Sequence, residues 1–507
     1  MNSRIRNFTW GIATQYLFQI VLIVLQVVIA PLLLKSNGPE ALGGYAAIAQ
    51  FTAYFTLLDF GFFSTLSRYL SQAFNSPEKD KATFRNYFAI GRWYLLAVSS
   101  VIFLLVFGLS FYIPFKIGLN PHLQRDGQLA MALLAVWYGS RFYLMMFGIA
   151  LYATQNMRAV NICNTIGVVI RFICTWIFVR GGLAITGIVL ANIVGDFTAA
   201  LLQMIIFSKK YSYIRLTWKV TDKSGFKELF QFGFRTFLIN IAARINSSSI
   251  TFIASLLLGA AVASHYYSMY TPISVINTLI IVVMYNILPG MNEIFARREM
   301  ENLRDTYART LKFKLSILFA AFWGLLLYHR FIVTFWVGAG QYDGFFYTVT
   351  LGIYLIVFTV NNFNENILIV YGEVRWYSIL QIISTVVGLA LTIEMGRLYQ
   401  LKGIVLGNLI ALTPPTLYTL YRLIGIIGAW RHLGKLLPNP AFVLSVSAIG
   451  GLLLYVYHQY DIKINLVQVA FVGILFMSLV LLLGLDKTQK ENLSKIIQQA
   501  RTAVRLT

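Results

Sequence analysis

The feature that most constrains this chain is a series of apolar stretches of about 20 residues that follow one another from Trp10 to Leu485. A helix of that length crosses the hydrocarbon core of a bilayer, where backbone outside a helix or a closed barrel lacks hydrogen-bond partners. Hydrophobic residues make up 58% of the 507 residues, charged residues make up only 12%, and the mean hydropathy is +0.70. The sequence therefore predicts an all-α polytopic membrane protein, with no stretch left for a separate soluble domain.

These stretches predict about fourteen transmembrane helices. The predicted spans are 9–34, 43–74, 87–113, 128–153, 159–179, 183–208, 227–257, 263–289, 313–334, 345–371, 376–396, 402–427, 441–458 and 464–485. The first span is too long for the apolar core of a signal peptide and has no small-residue cleavage site behind it. We therefore expect it to remain as a membrane helix.

Lysine and arginine are distributed unequally between the alternate loops. Of the 41 Lys and Arg, 28 count with the loops on the side of the two termini, and eight lie in the opposite loops. By the positive-inside rule, both termini are predicted to be cytoplasmic. Because topology accounts for most of the formal charge of +22, nucleic-acid binding is not predicted.

Eight charged residues lie inside the predicted spans, six or more residues from either end of a span. A charge at the centre of a membrane helix costs at least about 2.5 kcal/mol on insertion scales, so this set predicts a shared polar interior or a water-filled cavity. Two of the arginines lie close enough to the cytoplasmic helix ends to reach the headgroups instead, and the mid-membrane arginines could also pair with an aspartate. The set consists of Arg68, Arg141, Arg171, Arg235, Arg244, Asp59, Asp196 and Glu365, of which Arg68 and Arg235 are the two near the helix ends.

Uncharged polar residues lie on the same helix faces as several of these charges. Arg244 shares a face with Asn240 and Ser248, and Arg171 lies seven residues after Asn164. We expect such stripes either to line a cavity or to form hydrogen bonds between helices. The other polar positions are Gln15, Gln19 and Gln26 on the first helix and Asn361, Asn362 and Asn364 in the segment "NNFNEN" on the tenth.

Prolines interrupt two of the predicted spans. Pro272 lies in the eighth span, and Pro414 and Pro415 lie in the twelfth. A proline inside a helix removes one backbone hydrogen bond and kinks the helix, which creates either a hinge or a static bend.

Two segments six spans apart have similar patterns. The first, "PLLLKSNGPEALGGYAAIAQF", and the second, "ASLLLGAAVASHYYSMYTPI", both lead from an apolar helix end through a turn of small residues into a helix containing tyrosine. A displacement by six helices predicts two parallel repeats with a site between them. The predicted domains are an N-terminal lobe, a cytoplasmic connector, a C-terminal lobe, two further helices and a cytoplasmic amphipathic tail: 1–208, 209–226, 227–427, 428–485 and 486–507.

The segment "GYAAIAQFTAYFTLLDFGFFSTLSRYL" resembles the second helix of the Wzx-type polysaccharide flippases, in the multidrug/oligosaccharidyl-lipid/polysaccharide (MOP) superfamily. Asp59, Gly61, Arg68 and Tyr69 stand at the matching places, and the resemblance in span number and topology covers nearly the whole chain. It implies a MATE-like fold of two six-helix lobes with a pseudo-twofold axis and a cationic cavity. It also implies a multi-pass location in the bacterial inner membrane and transport of undecaprenyl-pyrophosphate-linked oligosaccharide repeat units to the periplasmic leaflet, as in O-antigen and lipopolysaccharide synthesis.

Arginine suits such a cargo because its planar guanidinium binds phosphate oxygens bidentately and stays charged. The expected partners are the polyprenyl-linked oligosaccharide, membrane lipids and the polysaccharide polymerase machinery; no cofactor, metal site or enzymatic activity is predicted. Asp59, Asp196 or Glu365 could carry protons, or the membrane potential could drive transport.

Three other functions compete with this interpretation. A peptidoglycan-precursor flippase would move a cargo with the same pyrophosphate chemistry. A multidrug exporter of the same superfamily would favour an acidic cavity. A membrane glycosyltransferase or polymerase would need acidic residues or a larger domain on the outer side, where the longest predicted loops are only 114–127 and 331–344.

Overall fold

The computed structural model describes residues 2–55, 62–75, 81–214, 218–222, 226–227, 249–371, 373, 375–426, 433–460 and 464–485. All regular secondary structure in these ranges is helical. The α-helices are α1 (Asn2–Ala53), α2 (Phe62–Asn75), α3 (Lys81–Ser110), α4 (Ile113–Lys116), α5 (Pro121–Ala153), α6 (Met157–Arg180), α7 (Ile185–Lys210), α8 (Ile250–Leu258), α9 (Ala260–Ala296), α10 (Met300–Val337), α11 (Phe345–Tyr371), α12 (Arg375–Ile426), α13 (Leu433–Leu436), α14 (Pro440–Gln459) and α15 (Leu466–Leu479).

The all-helical membrane fold that the sequence predicts is confirmed. Nine helices of the described ranges are long and apolar enough to cross a membrane, or ten if the two bent parts of α5 count as one span. Two of the nine contain a break: α1 leaves helical geometry at Gly38, and α12 does so at Gln400. The total of fourteen spans stays a prediction.

Nine described residues have a left-handed backbone conformation, and the turns after the first six odd-numbered predicted spans each contain at least one of them. Glycine adopts such a conformation without strain because it has no Cβ. Each of the three turns in the first half has a counterpart in the second half, 221, 220 and 218 residues further along the chain. This spacing corresponds to the displacement by six spans that the two similar sequence segments predict. The turn residues are Gly38, Gly118 and Gly182, followed by Gly259, Gly338 and Gln400, with φ between 53° and 97°.

Four helices (α1, α3, α5 and α10) begin six or more residues before the predicted spans. Helix α3 begins at Lys81, and α10 begins at Met300, whereas hydropathy predicts starts at 87 and 313. Residues 300–312 are polar but contain good helix formers such as Met, Glu, Leu, Arg and Ala, so the helix extends beyond its apolar part. Hydropathy therefore located the apolar part of each helix and missed its polar extension.

The chain divides into two compact units. The N unit comprises Met1–Tyr267 and Ile393–Ile404, and the C unit comprises Ser268–Thr392 and Val405–Thr507. In the N unit, the rings of Phe84, Phe88 and Phe207 lie nearly parallel, with centroids 6.1 to 6.5 Å apart. In the C unit, Tyr307 stacks on Phe363 within a buried cluster, with the ring centroids 5.8 Å apart. Each unit thus has a core of its own.

Helices α6 and α7 cross closely because two glycines face each other. A Cβ on Gly195 would lie 2.4 Å from the carbonyl oxygen of Gly167 and 2.7 Å from Cβ of Arg171. A Cβ on Gly167 would in turn lie 2.6 Å from the carbonyl oxygen of Gly195. Small residues at a helix crossing allow the backbones to approach, and the resulting van der Waals contact is one of the forces that associate helices in membranes.

We expect Gly195→Ala to lower the thermal stability of the purified protein, because the added methyl group meets rigid backbone. Overpacking of this kind costs about 1–3 kcal/mol. The matched control is Gly108→Ala in α3, where a Cβ meets nothing within 4 Å. The control should keep or raise stability, since alanine is favoured over glycine in helices by about 1 kcal/mol. Thermal melts in detergent, followed by size-exclusion chromatography, measure the stability of both variants. A Gly195→Ala variant that melts at the same temperature as the wild type would contradict the close approach of α6 and α7.

Candidate functional site

A cavity of about 490 Å³ lies inside the N unit, between α1, α5, α6 and α7. Its charged lining consists of Arg141 on α5, Arg171 on α6 and Asp196 on α7. The volume falls in the range of about 300–1,000 Å³ that is usual for sites of small ligands. The uncharged polar lining consists of Tyr45, Thr52, Tyr138, Tyr152, Asn164, Asn192 and Gln203.

Local packing brings these side chains to the cavity. Arg171 emerges beside Gly195, whose missing Cβ leaves the space for the first carbon of the arginine side chain. Gly148 does the same for Gln203, since a Cβ there would lie 2.6 Å from the Gln203 Oε1 atom. Small residues on facing helices thus make room for large polar side chains between them.

The cavity carries a net positive charge. The guanidinium of Arg141 lies 5.5 Å from the ring centroid of Trp137, a cation–π contact. The Nε atom of Arg171 is buried and has no hydrogen-bond partner. Asp196 lines the same cavity, but among the described residues it forms no ion pair within 4.0 Å with either arginine. Two cations and one separate anion therefore face the same space.

An amide network runs along the cavity wall. Gln203 donates from Nε2 to Oδ1 of Asn164 over 2.8 Å, and the Tyr45 hydroxyl interacts with the Asn192 side chain. The sequence predicts that Asn164 and Arg171 share a face, and both line the cavity. The remaining amide and hydroxyl groups can bind a polar ligand such as a sugar.

The structure distributes the other predicted residues over several places. Arg68 is exposed on α2, and the three glutamines of α1 (Gln15, Gln19 and Gln26) are partly buried; none of the four lines the cavity. Asn361, Asn364 and Glu365 are buried in the C unit, and Asn362 is partly buried there. Five further predicted residues, Asp59, Arg235, Asn240, Arg244 and Ser248, lie outside the described residues.

The "NNFNEN" segment of α11 forms a polar layer in the C unit. Asn361 donates from Nδ2 to the Tyr377 hydroxyl over 3.3 Å, and the hydroxyl of Tyr307 donates to Oδ1 of Asn364 over 3.0 Å. Glu365 is only 8% exposed and lies beside Tyr377. The segment therefore joins helices within the unit, which is one of the two roles that the sequence predicts.

Two buried cations were missed by the sequence analysis. Counting by loops placed Arg92 and Lys314 on the cytoplasmic side, but they are 8% and 1% exposed, in α3 and α10. The ammonium of Lys314 donates to the backbone carbonyl of Thr359 and lies 4.7 Å from the ring centroid of Phe363. Arg92 and Lys314 lie near the beginning of the predicted spans 87–113 and 313–334. Their position within a span was the sequence feature that could have identified them as buried.

The segment 218–222 is attached to α3 around Arg92. The guanidinium of Arg92 lies 4.8 Å from the ring centroids of both Phe88 and Trp218. The side chain of Asn86 forms hydrogen bonds with Thr221 and Asp222 at both its ends, over 2.8 to 3.0 Å. The predicted cytoplasmic connector is therefore fixed to the N unit at these residues.

The family profile described as "Polysaccharide biosynthesis protein" matches residues 5–295, which is more than half of the chain. This chain belongs to that family. The cavity lies wholly within the matched range, since its lining extends from Phe18 to Gln203. A curated relative, the "Uncharacterized membrane protein EpsK" of Bacillus subtilis (strain 168), is 24% identical over 308 residues. That match covers 59% of this chain and 59% of the relative.

Solved structures of the MOP superfamily share the fold of this polysaccharide biosynthesis protein. An inward-facing MATE family multidrug transporter matches with a TM-score of 0.67 and 14% identity, covering 83% of this chain and 99% of that one. The lipid II flippase MurJ in an inward closed conformation matches with a TM-score of 0.68 and 16% identity, covering 92% and 98%. These likenesses confirm the predicted MATE-like fold.

We expect Asn86→Ala to loosen the segment 218–222, because this side chain makes four hydrogen bonds to Thr221 and Asp222, whereas Trp93 of α3 makes one, from Nε1 to the carbonyl oxygen of Trp218 over 3.0 Å. Trypsin should then cut faster after Lys219, which is exposed within the segment. Asn302→Ala is the control, since Asn302 is exposed and donates only to nearby Glu299. Mass spectrometry of the fragments gives the cleavage rate; an unchanged rate at Lys219 would mean that other contacts hold the segment.

Proposed function

We propose that this protein is a flippase for polyprenyl-pyrophosphate-linked oligosaccharide repeat units used in surface polysaccharide synthesis. In this proposal the cargo passes from the cytoplasmic to the periplasmic leaflet of the bacterial inner membrane. The headgroup enters the polar cavity while the polyprenyl chain stays in the bilayer. Family membership supports a role in polysaccharide biosynthesis, and the properties of the cavity support the chemical class of the cargo.

The observation that carries the proposal is the presence of two arginines without an ion-pair partner in one cavity of a membrane-spanning unit. A charged side chain is costly at membrane depth unless a counter-charge or water compensates it. Arg141 and Arg171 find no such carboxylate among the described residues, so a ligand with two adjacent anionic groups would compensate both. A pyrophosphate has that charge, and the guanidinium fork matches its oxygens.

The uncharged lining supports a sugar next to the phosphates. Tyr45, Tyr138 and Tyr152 combine a flat apolar ring with a hydroxyl group, and Asn164, Asn192 and Gln203 offer both donors and acceptors. A sugar presents hydroxyl groups at its edge and C–H groups on its faces. Rings and amides in one cavity are therefore suited to both surfaces of a saccharide.

The membrane potential can supply energy for the transport of an anionic cargo. Moving two negative charges outward across an inside-negative potential of 100 mV releases about 4.6 kcal/mol, at about 2.3 kcal/mol per charge. Asp196 in the cavity and buried Glu365 in the C unit are further groups that could bind a proton during the cycle. The proposal involves no chemical conversion of the cargo.

We expect Arg171→Ala and Arg141→Ala each to slow translocation by about 10- to 150-fold, the equivalent of the 1.5–3 kcal/mol that a charged hydrogen bond contributes. The measurement is the sidedness of lipid-linked oligosaccharide in inner-membrane vesicles, using an impermeant glycosidase. Loss of activity should leave the oligosaccharide on the cytoplasmic side. Arg180→Ala is the matched control, because Arg180 is exposed at the end of α6, outside the cavity lining, where its guanidinium lies 4.1 Å from the ring centroid of Trp176.

Three outcomes would contradict the proposal. Unchanged sidedness without the protein would exclude flipping of this cargo, and full activity of both arginine variants would exclude the cationic cavity as its path. If removal of the protein instead kills the cell and the peptidoglycan precursor accumulates, the protein is a flippase for that precursor.

A further inference from the structure

Three helices that enclose the cavity of the N unit place their lining residues at the same spacing. Each has a charged residue and a second lining residue seven positions away. Seven residues are close to two helical turns, so the two members of a pair share a face and lie about 10 Å apart along the helix axis. The pairs are Arg141 and Gly148 on α5, Arg171 and Asn164 on α6, and Asp196 and Gln203 on α7.

The three pairs form two layers of the cavity. Short turns join α5 to α6 and α6 to α7, so neighbouring helices run in opposite directions. The charged residue comes first on α5 and α7 and second on α6, which brings the three charges to the same level. Contacts agree with this order, since Arg171 meets Gly195, next to Asp196, and Gln203 meets both residues of its own level. We call Arg141, Arg171 and Asp196 the charged layer, and Gly148, Asn164 and Gln203 the amide layer.

The amide layer presents one donor and one acceptor that the protein does not use. Gln203 donates from Nε2 to Oδ1 of Asn164 over 2.8 Å, and within the described part of the chain neither side chain makes another hydrogen bond. Asn164 therefore keeps a donor at Nδ2, and Gln203 keeps an acceptor at Oε1. Gln203 is only 6% exposed, so a ligand in the cavity is the partner best placed to use them.

The separation of donor and acceptor indicates the ligand group. A hydroxyl group donates and accepts through a single oxygen, whereas a secondary amide carries its acceptor and its donor on different atoms. Apolar side chains adjoin the amides on the same helix faces. Val160 and Val168 lie one turn to either side of Asn164, Ala199 lies one turn before Gln203, and all three are buried and line the cavity. An acetamido group, which joins a secondary amide to a methyl group, matches both properties.

We propose that the amide layer recognises the acetamido group of an amino sugar bound directly to the pyrophosphate, while the charged layer binds the pyrophosphate itself. The inference rests on the proposed flippase function and makes the first sugar of the cargo a 2-acetamido sugar. Asn164 donates from Nδ2 to the acetyl carbonyl oxygen, and Oε1 of Gln203 accepts from the acetamido N–H.

The distance between the layers suits this cargo. About 10 Å along the helix axes leaves space for the arginine side chains, a pyrophosphate and one sugar ring. By the predicted topology the amide layer lies nearer the cytoplasm. The sugar end of the cargo arrives from that side, so the order of the two layers matches the order of the groups on the cargo.

Gly148 positions the amide of Gln203. A Cβ on Gly148 would lie 2.6 Å from Oε1 of Gln203, so this oxygen occupies the space that a side chain would take. The oxygen is the end of a flexible side chain and not part of the backbone. Alanine at position 148 is therefore expected to displace the amide while the helices keep their places. Gly148 is a positioning residue, since it acts through Gln203.

The first test compares two cargoes in proteoliposomes. They are polyprenyl pyrophosphates that carry either N-acetylglucosamine or glucose, two sugars that differ only at C2. Periodate added outside the vesicles oxidises the C3–C4 diol, which both sugars have, and so measures sidedness. We expect the wild type to flip the acetamido cargo about 10-fold faster, as two hydrogen bonds made to one cargo and not the other would give.

Three variants test the residues of the amide layer. Gln203→Leu and Asn164→Leu remove an amide at similar size, and Gly148→Ala displaces one. Each should bring the ratio of the two rates close to one. A merely structural role would lower both rates together and leave the ratio unchanged. Gln459→Leu is the control, because Gln459 is exposed at the end of α14, and it should keep the wild-type ratio.

The outcomes separate this inference from the proposed function. A wild type that flips neither cargo refutes the flippase proposal. A wild type that flips both cargoes at the same rate, or a Gln203→Leu variant that keeps the wild-type ratio, overturns the acetamido site alone.

A second test does not depend on transport. Isothermal titration of the purified protein in detergent compares the 1-diphosphates of N-acetylglucosamine and glucose, which lack the polyprenyl chain. We expect the acetamido compound to bind about 10-fold more tightly to the wild type, and Gln203→Leu to abolish this difference. Arg171→Ala, in the charged layer, should weaken the binding of both compounds by the same factor. Equal affinities of the wild type for the two compounds would overturn the inference.

Discussion

The hydrocarbon core of the membrane offers no hydrogen-bond partner and no counter-charge, and the described structure follows from that constraint. Backbone groups are satisfied inside helices, and polar side chains turn toward one another within each unit. The crossing of α6 and α7 shows how this is achieved. Gly167 and Gly195 bring two backbones together, and Arg171 then projects into a cavity and not into lipid. Close packing and the placement of a charge are thus two results of the same pair of glycines.

The sequence predicts the fold class well because insertion into a membrane requires features that follow one another along the chain and can be recognised without knowing the tertiary contacts. Span length, the Lys and Arg asymmetry and the six-helix displacement can all be read from local composition, and the helices around Arg141 and Arg171 lie where hydropathy places them. The cavity was predictable to the same degree, since a charge in a span must face a polar space. Asn164 and Arg171 show that helical spacing is sufficient to place two polar residues of one helix on the same wall.

What the sequence did not predict depends on contacts between helices. Arg92 and Lys314 sit so near the ends of their spans that counting assigned them to loops, yet an aromatic pair covers the first and a backbone carbonyl binds the second. Conversely, Gln15, Gln19 and Gln26 share a face in sequence but do not reach the cavity. Spacing along one helix does not reveal which neighbour a face meets.

The six left-handed turns have a consequence for the way the chain enters the membrane. Gly38, Gly182 and Gly259, and their counterpart Gln400, reverse or break the helix within very few residues, so the two helices that flank each turn are too closely tied to insert at separate times. Each such pair is expected to leave the translocation machinery as one hairpin. Biogenesis would then proceed in pairs of helices at these four turns, two of which lie in each half of the chain.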